Sequence, residues 1–169
     1  MTELSIPAYD SATTVRSATV EIDAPASVVW EVLTDLDNYP NWNPFCIAAE
    51  STLEIGAPVN MTLADYSGAT ETFPYTEYVC AVVPERLLSW ELRPTEVSAQ
   101  AARRDQVIEP IDENRCRYYS TDAFLGEEAH QIMADSGAWV KRAFDDTAVA
   151  LKKRSEALHA ERTLGSPTA

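Results

Sequence analysis

The chain has 169 residues, of which 46% are hydrophobic and 24% are charged, and its formal net charge is −14. This length suits one soluble globular domain, and the negative charge argues against nucleic acid or anionic membranes as partners, because both need Lys/Arg-rich surfaces. No apolar run approaches the roughly 18 residues of a membrane span, so we expect no membrane insertion. The N-terminal stretch lacks the basic start and apolar core of a secretory signal, which favours a cytoplasmic location.

The first part of the chain predicts a strand followed by two short helices. SATVEI (17–22) alternates polar and apolar residues, as a half-buried strand does. Apolar residues at helical spacing then predict a helix of about ten residues, capped by Asp23 and ending near Asp35. Pro40 and Pro44 limit the next segment, YPNWNPF (39–45), to a single helical turn and a bend.

A long β-rich region follows. Short turn-like connections separate its strands, which predicts antiparallel hairpins in a meander. Pro74 indicates an edge position or a bulge within its strand. The predicted strands are 45–51, 57–64, 70–82, 86–93, 99–109 and 115–124.

The last element is a long helix from Glu127 to about Ala160, with Gly137 as a point where it could kink. An antiparallel sheet with one apolar face needs a cover, and this helix is the only candidate. We therefore predict an α+β fold with one domain over residues 14–160, an N-terminal tail at 1–13 and a flexible C-terminal tail at 161–169. Three cysteines (Cys46, Cys80 and Cys116) are too few for a disulfide framework and suit a core in a reducing compartment.

The last predicted hairpin places polar residues on an inward face. A three-residue loop, 112–114, would pair Ile111 with Arg115, and counting back from there fixes the facing residues. The resulting cross-strand pairs are Ile108 with Tyr118, Gln106 with Ser120, Arg104 with Asp122, and Ala102 with Phe124. Because Ile108, Tyr118 and Phe124 are apolar or aromatic, we expect this face to look toward the long helix. The opposite face, with Arg103, Asp105, Val107, Glu109, Arg115, Arg117, Tyr119 and Thr121, is predicted to face solvent.

Arg104 and Asp122 are thus predicted to point into the interior as a pair, with Gln106, Ser120 and Tyr118 nearby. Convergent polar groups in an apolar pocket are typical of a binding site. Two alternatives stay open. The pair could be a purely structural cross-strand contact, or a one-residue slip could turn both side chains outward. A two- or four-residue turn without a bulge would break the pairing.

Several site types lack support in the sequence. The two histidines, His130 and His159, both fall on the C-terminal helix, and no Cys/His spacing fits zinc, so we expect no metal site. No glycine-rich nucleotide motif and no nucleophile motif is present, so we expect no cofactor and no covalent catalysis.

Three stretches of the chain resemble the START-like (SRPBCC) helix-grip superfamily, which includes polyketide cyclases and the Bet v 1 fold. They are VEIDAPASVVWEVLTDLDNYPNWNPF (20–45), PERLLSW (84–90) and AWVKRAFDDTAVALKKRSEAL (138–158). The first is similar to the branch of polyketide cyclase/dehydrase proteins. The resemblance covers about residues 15–160. It implies a curved sheet of about seven strands wrapped around the C-terminal helix, two short helices after strand 1, and an apolar cavity between sheet and helix.

This resemblance implies roles for particular residues. Trp42 and Phe45 would plug one end of the cavity, and Trp90 would line it. Apart from the resemblance, if the cavity is catalytic, its side chains offer Asp122 or Glu77 as general base, Tyr118 as a weak acid, and Arg104 to stabilise a developing enolate or alkoxide. The expected ligand contacts are Trp42, Phe45, Trp90, Gln106, Ser120, Phe124, Met133, Val140 and Phe144.

Three functions remain open at this point. The first is binding of a small hydrophobic, polyketide-like or aromatic molecule. The second is a cofactor-independent cyclase, dehydratase or isomerase acting on such a ligand. The third is a protein-interaction module similar to co-chaperones of the same superfamily. A monomer or a homodimer would suit any of them, because fold alone does not decide function.

Overall fold

A computed structural model describes residues 4–165 and consists of an eight-stranded antiparallel sheet with one long helix packed against it. The strands are β1 (Thr14–Arg16), β2 (Val20–Ile22), β3 (Cys46–Glu50), β4 (Pro58–Ala64), β5 (Thr72–Val83), β6 (Leu87–Leu92), β7 (Ala101–Asp112) and β8 (Arg115–Leu125). The helices are α1 (Ala26–Thr34) and α2 (Ala129–Leu164), with 3₁₀ turns at Ser11–Thr13 and Leu36–Asn41. The predicted α+β helix-grip fold is confirmed.

The sheet order is β1-β8-β7-β6-β5-β4-β3, and β2 also pairs with β8. Of the strand predicted at 17–22, only β2 forms, and β1, which lies before the predicted range, pairs with the same edge of β8. Ser17 lies at the break, where its hydroxyl accepts the Ser120 backbone N–H at 2.9 Å and its own N–H donates to the Ser120 carbonyl at 2.9 Å. The additional strand β1 accounts for eight strands where the sequence predicted about seven.

The connection from α1 to β3 begins as a helical turn and ends in a bend, as predicted. The cap assignment was wrong, because Pro25 precedes α1 without a side-chain cap and the Asp23 backbone N–H donates to Glu156 at 2.9 Å. The bend is stabilised by the Asn43 side chain, whose oxygen accepts the backbone N–H groups of Phe45 at 3.0 Å and Cys46 at 2.9 Å. Asn43 thereby fixes where Phe45 enters the sheet.

The β7–β8 hairpin keeps the predicted register through a different turn. Asp112, not Ile111, pairs with Arg115, so the connection has two residues, and a register shift lies between Pro110 and Asp112. Such a bulge adds one residue to one strand and restores the pairing that the shorter turn would have shifted. The predicted pairs, including Arg104 opposite Asp122, are therefore confirmed.

The outer face of β7 is not solvent-facing throughout, so that part of the prediction was wrong. Asp105 is 0% exposed and Val107 is 1% exposed. The chain before β1 crosses this face, and Ile6 and Tyr9 line a surface pocket together with Val107. Asp105 is held by the Ser89 hydroxyl and by Arg103, whose Nε lies 2.9 Å away. Glu109, Arg115 and Arg117 are exposed, as predicted.

Helix α2 runs as one helix through Gly137 and ends at Leu164, beyond the predicted end near residue 160. Its buried stripe of Val140, Ala143, Phe144, Ala148 and Leu151 packs in the core between helix and sheet. Cys46 and Cys116 are buried free thiols, and Cys80 is partly buried. Within residues 4–165, no helix is long and apolar enough to cross a membrane.

Candidate ligand cavity

A cavity of about 240 Å³ lies between the sheet and the first half of α2. Its wall is mainly apolar and aromatic, with Phe45, Leu63, Phe73, Phe124, Trp139 and Phe144 among its residues. Four charged side chains also reach it: Glu77 from β5, Arg104 from β7, Asp122 from β8 and Asp135 from α2. The cavity is thus an apolar space with a few converging polar groups, as ligand pockets commonly are.

The predicted contact residues divide between this cavity and a smaller chamber. Arg104, Phe45 and Phe144 line both spaces. Asp122, Phe124 and Val140 line the larger cavity only. The chamber, of about 20 Å³, is lined by the other predicted residues, which are Trp90, Gln106, Tyr118 and Ser120. Side chains on the inward face of the β7–β8 hairpin therefore line both the larger cavity and the smaller chamber, and Arg104 lies where the two spaces meet.

Two predicted contact residues lie outside both spaces. Trp42 packs edge-on against Tyr39, with ring centroids 5.1 Å apart, and lines separate surface pockets beside Arg154. Met133 lies against the helix at Gly137 and packs on the edge of the core. On α2 the cavity is instead lined by Ile132 and Ser136, which lie four residues apart on one face of the helix.

Arg104 forms its ion pair with Glu77, not with Asp122 as predicted. The Arg104 Nη2 donates to Glu77 Oε1 at 3.1 Å, and this is the ion pair of Arg104 within residues 4–165. The pair is buried, with Glu77 2% and Arg104 7% exposed. Arg104 reaches Glu77 past β6, where Trp90 lies between the two strands that carry them. Asp122, also 7% exposed, is left as a second carboxyl group beside one guanidinium.

Burial changes the proton affinities of these groups. Desolvation raises the pKa of Asp122 to about 7, although Arg104 partly opposes the rise. Desolvation also raises the pKa of Glu77 against the opposing effect of Arg104. Burial alone would lower the pKa of Arg104, but the neighbouring carboxyl groups of Glu77 and Asp122 raise it, so Arg104 stays charged. Burial raises the pKa of Tyr118 to about 12, which makes it a weak acid.

Several buried polar atoms around these spaces have no hydrogen-bond partner among the described residues. They are Glu77 Oε2, Arg104 Nε, Asp122 Oδ1 and Trp90 Nε1. Buried polar atoms are paired in most proteins, so these four atoms offer hydrogen-bonding capacity to water or to another molecule in these spaces. No three His, Cys, Asp or Glu side chains in residues 4–165 come together as a metal site would require.

Glu77 was named from the sequence only as an alternative base, and its place at the centre of the site was missed. A signal was present, because Phe73, Tyr75, Glu77 and Val79 occupy alternate positions of β5 and share one face. A glutamate within such an aromatic and aliphatic row is a buried polar group that needs a partner. Trp139 and Leu63, which also line the cavity, were not identified.

A curved antiparallel sheet packed on one long C-terminal helix, with an apolar cavity and buried polar groups between them, defines a helix-grip fold. The sequence matches over residues 13–156 the family described as "Polyketide cyclase / dehydrase and lipid transport". The chain belongs to this family, whose members have a ligand-binding or cyclase role.

Individual relatives are more distant. The chain is 47% identical over 45 residues to "Oxopyrrolidines biosynthesis cluster protein O" of Penicillium oxalicum, which covers 27% of this chain and 22% of that protein. The fold of the present chain is similar to that of the Zhui aromatase/cyclase from Streptomyces sp. R1128, with a TM-score of 0.64 and 22% identity. The match covers 91% of this chain and 98% of that one. The fold is also similar to that of norcoclaurine synthase from Thalictrum flavum, with a TM-score of 0.60, 16% identity, and coverage of 83% and 91%.

Proposed function

We propose that the protein binds a small hydrophobic molecule, polyketide-like or aromatic, in the cavity between the sheet and α2. The observation that carries this proposal is the apolar cavity of about 240 Å³ with unpaired polar atoms on its wall. An apolar cavity of about 150 Å³ holds one benzene ring, so a ligand of about two fused rings suits this volume. The aromatic wall gives such a ligand flat surfaces to pack against.

The comparisons support the same proposal. The family description names polyketide cyclases, dehydrases and lipid transport, which all involve molecules with large apolar parts. One protein of similar fold is an aromatase/cyclase, and a partial relative in Penicillium is a biosynthesis cluster protein.

Mass spectrometry of the purified protein under native and denaturing conditions tests the binding proposal directly. We expect a mass difference that extracts into organic solvent, or, after extraction, quenching of tryptophan fluorescence by added two-ring aromatic compounds, because Trp139 lines the cavity. Val140→Trp should fill the cavity and abolish the binding. Val149→Trp, at an exposed position of the same helix, is the matched control. If neither retained nor added aromatic compounds bind, the proposal is wrong.

A second candidate function is cofactor-independent cyclisation or dehydration of the bound molecule. The observation that favours it is Asp122, whose carboxyl group has a pKa of about 7, an unpaired oxygen and a place beside Arg104. A base with a pKa near the working pH is suited to removing a proton next to a carbonyl group. Arg104 would then stabilise the enolate that forms, and Tyr118, in the chamber behind it, would return a proton only as a weak acid.

Turnover by variants tests this second function once a substrate is identified. Asp122→Asn should lower kcat by about a hundredfold or more, because it removes the proposed base. Glu113→Gln, in the exposed hairpin turn, should leave kcat and KM unchanged. Retained turnover in both Asp122→Asn and Arg104→Ala would show that neither residue is catalytic.

A further inference from the structure

The charged groups of the cavity are unbalanced. Two buried carboxyl groups, those of Glu77 and Asp122, and the exposed carboxyl group of Asp135 line it together with a single guanidinium group, that of Arg104, among residues 4–165. Arg104 is already paired with Glu77 at 3.1 Å. A ligand that brought its own carboxylate would have to be desolvated and would meet no second cation on the described wall, so its burial would be costly.

The unpaired atoms show what kind of group would suit the site instead. Within the described part of the chain, Glu77 Oε2 and Asp122 Oδ1 are buried acceptors without a donor, and Arg104 Nε is a buried donor without an acceptor. A hydroxyl group is both a donor and an acceptor, so it can donate to a carboxylate and accept from a guanidinium. An ether or a ketone only accepts, and a carboxylate only accepts while adding another negative charge.

We infer that the cavity selects neutral, hydroxyl-bearing aromatic ligands and rejects carboxylates, and that Glu77 and Asp122 determine this selectivity. The inference rests on the proposed binding function and adds the charge and hydrogen-bonding class of the ligand. Glu77 and Asp122 lie on β5 and β8 with Arg104 on β7. The two acceptors therefore reach the cavity from different strands, and the guanidinium group reaches it from a strand between them.

Four probes of matched size test the inference: naphthalene, 2-methoxynaphthalene, 2-naphthol and 2-naphthoic acid. Binding is measured at about pH 8, where Asp122 is mostly ionised, by isothermal titration and by tryptophan fluorescence. We expect 2-naphthol to bind at least about tenfold tighter than 2-methoxynaphthalene, because hydrogen bonds to charged groups are strong. The carboxylate of 2-naphthoic acid should make it the weakest of the four.

Variants connect the selectivity to the two residues. Glu77→Gln and Asp122→Asn remove a negative charge but keep the shape of the side chain, so each should reduce the preference for 2-naphthol over 2-naphthoate by about tenfold. Glu113→Gln, exposed in the hairpin turn, should keep the parent's preference. Circular dichroism checks that each variant is folded.

This experiment distinguishes a failure of the proposed selectivity from a failure of the proposed binding function. If all four probes bind and 2-naphthoate binds as tightly as 2-naphthol, the selectivity is wrong while the binding function stands. If the variants keep the parent's preference, the assignment to Glu77 and Asp122 is wrong. If no probe binds, naphthalene included, the proposed binding function itself fails and the selectivity falls with it.

Discussion

Arg104 and Glu77 form a buried ion pair, 3.1 Å between Nη2 and Oε1, that joins two strands with a third strand between them. The pair spans β6, whose Trp90 lies opposite Arg104, and leaves Asp122 of β8 without an ion-pair partner of its own among residues 4–165. The electrostatics of the cavity follow from this asymmetric arrangement of two carboxyl groups around one guanidinium.

Removing Arg104 should be strongly destabilising. Arg104→Met would leave Glu77 and Asp122 buried without a cation, and losing one partner of a buried pair costs about 3–5 kcal/mol. Urea denaturation at about pH 8 measures the loss. The double variant Arg104→Met/Glu77→Gln should recover part of it, because one of the uncompensated carboxyl groups is gone. Arg115→Met breaks only exposed ion pairs and should change stability little, and a loss as large as that of Arg104→Met would contradict the argument.

The stability of the protein should depend on the titration of Asp122. Its pKa is raised from 3.8 to about 7, so between these values the folded state binds more protons than the unfolded state. The free energy of unfolding therefore falls through this group as the pH rises from about 4 to about 7, and the loss is complete above that. Asp122→Asn removes the effect, so its Tm relative to the parent should increase over this interval.

Thermal melts across the same pH interval check this expectation, with Glu113→Gln as the control whose profile should run parallel to that of the parent. A constant difference between Asp122→Asn and the parent would show that Asp122 does not titrate in this interval. Arg104, Glu77 and Asp105 act on Asp122, and Glu77 is itself a buried carboxyl group with a raised pKa, so the difference between the two proteins reports the joint titration of Asp122 with Glu77.

Ile111 should be dispensable for the register of the site. Deleting it removes the unpaired extra residue, so Pro110–Cys116 and Asp112–Arg115 become successive pairs and Arg104 stays opposite Asp122. Deleting Thr121 instead removes a paired residue from the regular part of β8 and would turn Asp122 to the outer face, so we expect a loss of several kcal/mol or no folding at all. Denaturation curves compare the two variants, and an Ile111 deletion as destabilising as the Thr121 deletion would contradict this reading of the bulge.

Gly137 offers a stabilising substitution. It lies inside the uninterrupted helix α2, and a Cβ atom there would come within 2.7 Å of the Met133 sulfur. Because that sulfur belongs to a flexible side chain that can move, Gly137→Ala should gain helix propensity of up to about 1 kcal/mol. A clear loss in the free energy of unfolding would show that Met133 cannot move. Gly137→Ala/Met133→Ala relieves the contact and should then restore stability.

The fold could be predicted because the strand alternation, the helical spacing and the turn residues all indicate the same order of elements. The register of the β7–β8 hairpin was predicted correctly, but from a turn of the wrong length. The sequence predicted a three-residue loop, and the structure has a two-residue turn with a bulge, which gives the same pairing of Arg104 with Asp122. One local signal for the bulge was present, because proline within a strand marks an edge or a bulge and Pro110 lies directly beside the bulged residue.

The remaining misses concern contacts between distant parts of the chain. Cross-strand counting relates neighbouring strands only, so it could not find Glu77 as the partner of Arg104 across β6. Trp42 and Phe45 looked equivalent in the sequence, and the hydrogen bonds of Asn43 at the bend separate them. Phe45 reaches the cavity, and Trp42 packs on Tyr39 instead.

The path of the chain before β1 has a consequence for where this domain begins. Residues 104–108 of β7 are buried on both faces, by α2 and the cavity on one side and beneath the segment that carries Ile6 and Tyr9 on the other. A fragment that starts at residue 14 would uncover Val107 and bring water to the Asp105 carboxyl group from behind the cavity wall. The backbone amides of this stretch would then lose the slow hydrogen exchange expected of a doubly covered strand. The apparent tail thus forms the second wall of the strand that carries Arg104.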